Sequence, residues 1–165
     1  MRVSLELIHD GSTVFVDSNI FVYGADTTSR RYQACKNLLE RVARGGLSGV
    51  TSTSVLTEVF HVTSMMEVSK RFKRADPEGF AKKNPDILKQ LKSPLAVFNS
   101  ILSIPNLEIV GESTQIVSEA ARMALETGLL ITDAKIAATC KAAGVQSIAT
   151  NDRDFERVSL KVWGP

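Results

Sequence analysis

Short apolar runs and longer amphipathic stretches alternate along the chain. Val14, Phe15 and Val16 form a short apolar run bounded by polar residues, which predicts a buried strand ending at Asp17. Upstream, Val3, Leu5 and Leu7 alternate with polar residues and Asp10-Gly11 is a turn signal. Residues 2–8 are therefore expected to form a strand hairpinned to 13–17. Further strands are expected over 48–51, 106–111, 146–150 and 160–163. Helical periodicity marks 29–44, closed by Gly45-Gly46, and about 54–69, with Val55, Val59, Val62 and Met66 along one line. Ser113 caps a helix closed by Gly128, and an Ala-rich helix runs over 133–143 to Gly144. Strands alternating with helices predict an α/β fold with a mainly parallel central sheet and helices on both faces.

Between 70 and 93 the pattern breaks into polar, basic sequence. Asp76-Pro77, Asn84-Pro85 and Ser93-Pro94 each set a capping residue before a proline suited to the first helical position. Short surface helices are expected there, an elaboration of one domain spanning 1–165, with 95–102 returning to the core. From Lys70 to Lys92 there are eight basic and three acidic residues, a net +5 against +2 for the whole chain. That asymmetry suits either a solvated face or contact with RNA phosphates, with Lys70, Arg71, Lys73 and Arg74 foremost. Phe72 and Phe80 are expected to pack rather than to stack on bases.

Composition narrows the classes. The length allows a sizeable core, and no apolar run reaches a membrane span. The alternating start lacks the continuous apolar core of a signal peptide. Cys35 and Cys140 are isolated and read as reduced packing residues, which suits a cytoplasmic location. His9 and His61 lack cysteine neighbours, so zinc is not expected. No glycine loop carries the Lys-Ser/Thr of a phosphate-cradling motif.

Four carboxylates remain. Asp17 follows a strand, where it can act as a cap or begin a site. Glu58 falls within the arc of Val55, Val59, Val62 and Met65, where a carboxylate must be paired, protonated or bound to a cation. Asp133 opens a helix and can cap it, although Thr132 offers a competing cap. Asp152 lies just past a strand, where it and Asp154 can be turn residues. In a parallel sheet all four point to one edge. Clustered carboxylates repel unless a cation neutralises them, and oxygen ligands without His or Cys suit Mg²⁺ or Mn²⁺.

Val-Asp-Ser-Asn-Ile-Phe at 16–21, Thr-Glu-Val-Phe at 57–60, Ile-Thr-Asp-Ala-Lys-Ile-Ala-Ala at 131–138 and Ala-Thr-Asn-Asp-Arg-Asp-Phe at 149–155 resemble the successive motifs of PIN-domain ribonucleases. That family includes VapC-type toxins. The resemblance covers about 13–163 and implies a Rossmann-like sheet with a divalent-metal site that hydrolyses RNA. By matching position it implies Asp17, Glu58, Asp133 and Asp152 as the acidic set and Asn19 and Thr150 as its orienters. Asp154 matches a ligand through water or a structural cap. A homodimer and an antitoxin partner are also implied. Ser18 departs from the frequent Thr but keeps the hydroxyl. Residues 1–12 precede the usual first strand, and 70–93 is longer than in compact members. A non-catalytic PIN-like module that binds RNA or protein is the alternative. A haloacid-dehalogenase-type phosphatase would need a second Asp where Asn19 stands.

Overall fold

The computed structural model describes residues 3–165. Six strands form one sheet in the order β1-β6-β5-β2-β3-β4: β1 (Val3–Ser4), β2 (Thr13–Val16), β3 (Ser48–Ser52), β4 (Leu107–Val110), β5 (Ser147–Ala149) and β6 (Lys161–Gly164). Every pairing is parallel, with Phe15 opposite Ile148 and Val50. Central β2 contributes Val14, Phe15 and Val16, all fully buried, as a strand covered on both faces must be. Burying each such side chain contributes roughly 1.5–3 kcal/mol.

Among the described residues seven helices surround the sheet: α1 (Ser18–Ala25), α2 (Tyr32–Ala43), α3 (Thr53–Phe72), α4 (Pro77–Lys83), α5 (Ser93–Leu102), α6 (Thr114–Thr127) and α7 (Ile131–Ala142). Gly49 of β3 permits close approach of a helix: a Cβ there would meet Val42 Cγ1 at 2.8 Å and Leu107 Cδ1 at 2.9 Å. Ser113 caps α6 by accepting from Ile116 N, and Gly128 ends it at φ +72°. Among the described residues no helix is long and apolar enough to cross a membrane. Cys35 and Cys140 are buried and free, and burial first of all pushes both thiols up to about 12.

Two sequence expectations are corrected and one unmarked helix appears. No hairpin joins the first strand to β2. Instead β1 pairs in parallel with β6 at the opposite edge, and the chain turns through a 3-10 segment, Leu5–Leu7. Residue 2 of that expected strand lies outside the described residues. Leu5 and Ile8 enter the core, and Arg41 of α2 donates to Leu5 O, Ile8 O (2.5 Å) and Asp10 (2.6 Å), tying the segment down. Second, the 18–25 stretch is a helix that apolar periodicity alone did not mark. Third, Ser93 does not cap α5. Glu67 of α3 does so from across the fold, accepting from Lys92 N (3.1 Å), Ser93 N (2.9 Å) and the Ser93 hydroxyl (2.6 Å). Asp76 does cap α4, accepting from Gly79 N. Helix α5 packs on α3, but Leu95 and Leu102 stay exposed, so 95–102 only partly rejoins the core. Phe72 and Phe80 pack on each other, 5.4 Å between rings.

Candidate active site

Sheet order reverses beside β2: the chain leaves β2 for β3 on one side and returns as β5 on the other. Ligands of open parallel sheets bind at such a switch point, beyond the carboxyl ends of the strands. Asp17 stands there, 4% exposed, directly after β2. It caps α1, with one carboxylate oxygen accepting from Ser18 N at 2.7 Å. The other accepts from Asn19 Nδ2 and from the Thr150 hydroxyl, both at 2.5 Å. Capping and site membership are therefore compatible.

Asn19 and Thr150 knit β2 to β5. Asn19 Nδ2 also reaches Thr150 Oγ1 (3.0 Å), and Asn19 Oδ1 accepts from Asn151 N (2.8 Å). Thr150, fully buried, accepts from Asp152 N at 2.9 Å, which sets the turn that presents Asp152. Asp152 in turn accepts from Asp154 N at 2.8 Å.

The four expected carboxylates line one cleft of about 330 Å³, together with Asn19, Tyr23, Asp26, Val62, Met66 and Ile136. Asp133 lies in the first turn of α7 but caps nothing. The helix starts at Ile131 after Leu130 and has no side-chain cap, so Thr132 is no cap either. Glu58 is exposed, which corrects the expectation of an acid inside an apolar stripe. Val55 and Val59 carry the buried face, while Val62 and Met66 turn toward the cleft beside Glu58. Carboxylate oxygens of Asp133, Asp152 and Asp154 lie within 4.8 Å of one another. Asp154 also pairs with Arg157 at 3.0 Å.

This crowding has an electrostatic consequence. Burial pushes the Asp17 carboxyl up to about 6; its hydrogen bonds oppose that, and the Glu58 and Asp133 charges add to it. Burial also raises Asp133, with Asp152, Asp154 and Glu58 adding repulsion. An all-oxygen donor set under mutual repulsion fits a hard divalent cation. Tyr23, Asp26 and Arg157 were not anticipated. Tyr23 and Asp26 follow Asn19 at helical spacing, a signal that becomes readable once α1 is recognised. Nothing in the sequence alone distinguishes Arg157 from other surface arginines.

Fold and cleft together define an α/β protein with an acidic, all-oxygen site at the switch point of a parallel sheet. The chain belongs to the PIN domain family, whose model matches residues 14–161. It is 30% identical over 147 residues to Ribonuclease VapC2 of Methanocaldococcus jannaschii, covering 89% of each chain. Two solved structures share the fold. VapBC2 from Rickettsia felis, bound to a promoter DNA fragment, aligns at TM-score 0.57 and 22% identity over 92% of this chain and 98% of that one. Mycobacterium tuberculosis VapC20, a sarcin-ricin loop cleaving toxin, aligns at 0.59 and 17% over 90% and 98%. PIN-domain ribonucleases are divalent-metal dependent, and the acidic cluster here could bind such a metal.

Proposed function

We propose that this chain is a Mg²⁺- or Mn²⁺-dependent ribonuclease that acts as the toxin of a toxin–antitoxin pair. The observation that carries the reading is the convergence of Asp17, Glu58, Asp133 and Asp152 on one cleft. The likeness to the ribonuclease of Methanocaldococcus jannaschii and to the VapC20 toxin supports it.

In this reading Asp17, Glu58, Asp133 and Asp152 hold the cation, directly or through water. A bound divalent ion supplies an activated water and charge neutralisation for phosphodiester displacement. Asn19 and Thr150 fix the orientation of Asp17 through the short hydrogen bonds described above. Asp154, partly neutralised by Arg157, contributes through water. No side chain forms a covalent intermediate.

The RNA approaches over the basic segment. A larger groove of about 750 Å³ shares Val22, Asp26 and Met66 with the acidic cleft, and Lys70, Arg71 and Lys92 line it. These three cations can track phosphates leading to the cleft. Lys73 and Arg74 do not line it; Arg74 instead lies over the Phe80 ring at 4.7 Å. Exposed Leu125, Leu130 and Ile131 around the α6–α7 junction offer apolar surface for a homodimer. The likeness to a toxin–antitoxin complex from Klebsiella pneumoniae supports an antitoxin partner.

RNA cleavage by the purified chain tests the reading, with Mn²⁺, with EDTA, and with Asp17→Asn or Asp133→Asn. Cleavage is expected only in the unaltered chain with metal. Activity surviving both chelation and substitution contradicts it.

A further inference from the structure

We infer that Glu112 is a positioning residue that sets the spacing of Glu58 and Asp133 by tying α3 to α7. The inference rests on the metal-nuclease reading.

Glu112 follows β4 at the same edge of the sheet as the cleft, and its side chain is only 10% exposed. Oε2 accepts from the Ser54 hydroxyl and faces Lys135 Nζ at 3.6 Å. Oε1 is buried and has no hydrogen-bond partner among the described residues. A buried carboxylate with an orphaned oxygen is a net cost to the fold unless its engaged oxygen does something in return. Apolar residues of similar volume commonly replace a buried ion pair without loss of stability. Stability alone therefore does not account for this group.

What Glu112 joins does account for it. Ser54 lies one turn before Glu58, and residues four apart share a helix face. Lys135 follows Asp133 by two residues on α7. The main packing partners of these two helices differ, α5 and α1 for α3 and α6 for α7. The Glu58 and Asp133 side chains make no hydrogen bond or ion pair to any described residue, and their like charges push them apart. A polar bridge between their helices opposes that push. Glu112 does not line the cleft itself, so it acts through Ser54 and Lys135.

The test replaces the bridge with apolar residues, Glu112→Leu with Lys135→Met, and follows Mn²⁺ binding by electron paramagnetic resonance alongside RNA cleavage and thermal unfolding. Mn²⁺ affinity and kcat are expected to fall about tenfold, the scale of residues that support metal ligands. The unfolding temperature is expected to hold or rise, which a merely structural role would not allow. Glu112→Gln keeps an acceptor for Ser54 and should fall between. If the double variant does not fold, Ser54→Ala carries the test with a smaller loss of affinity. A folded variant with Mn²⁺ affinity within about twofold of the unaltered chain overturns the tie. An unaltered chain that takes up no Mn²⁺ overturns the metal reading instead, and the tie with it.

Discussion

The two sides of the acidic cleft are built differently. On the β2–β5 side, Asp17 is buried and both its oxygens are engaged by Ser18 N, Asn19 and Thr150, which are anchored to the centre of the sheet. On the α3–α7 side, Glu58 is exposed, Asp133 is half-buried, and neither carboxylate has a polar partner among the described residues. One side is held by hydrogen bonds already in place without a cation. The other is a pair of like charges that, in the proposed reading, a cation would neutralise. A site of this kind has a rigid reference point and a compliant jaw.

The largest expected effect tests the compliant side. Asp133→Asn should lower cleavage more than about a hundredfold, beyond the loss typical of residues that only orient a metal ligand. Single-turnover assays at saturating RNA check it. In metal-free protein the same change should raise the unfolding free energy slightly, because it removes a repelling charge.

On the rigid side, pH separates the folded and unfolded chains. Asp17 has a folded pKa of about 6, raised from 3.8, so the folded state holds its proton more tightly than the unfolded state. That contribution to stability is full below about pH 3.8 and is lost as pH rises through 6. It amounts to about 3 kcal/mol. Urea titrations of metal-free protein against Asp17→Asn across that window should show the difference in slope. Saturating Mn²⁺ should flatten it, since the cation favours the ionised carboxylate.

Thr150→Val should cost about 1–3 kcal/mol, because it strips a buried donor from Asp17 and an acceptor from Asn19 and Asp152 N. Calorimetric unfolding measures it, and a neutral result would mean the rigid side is no more rigid than the other. The smallest effect belongs to the groove. Lys70→Ala should raise KM a few-fold and flatten its salt dependence, whereas Lys73→Ala should leave both unchanged.

Much of this was legible in the chain, for physical reasons that differ by element. The β2 strand and the α6 helix announce themselves, one by an apolar run stopping at a carboxylate, the other by Ser113 and Gly128 at its ends. The convergence of the four carboxylates on one cleft was legible because parallel strands deliver their carboxyl ends to one edge, and because four motifs fall in family order. The first strand was misplaced because alternation in Val3, Leu5 and Leu7 says nothing about which edge accepts it. Only the tertiary pairing of Val3 with Trp163 decides that. Helix α1 escaped because its residues are apolar nearly all round: Ile20, Phe21 and Val22 are consecutive and all buried, which erases helical periodicity. The Glu67 cap on α5 and the Glu112 bridge were illegible because each joins residues far apart in sequence, 26 and 58 positions in the two hydrogen bonds concerned.

The proposed function requires a divalent cation between the rigid and compliant sides. Anomalous diffraction from crystals soaked in Mn²⁺ tests it most directly. A peak is expected in the cleft, bounded by Asp17, Glu58, Asp133 and Asp152, that disappears in Asp133→Asn crystals. Crystals with no peak in that cleft, or a peak unaffected by the substitution, would contradict it.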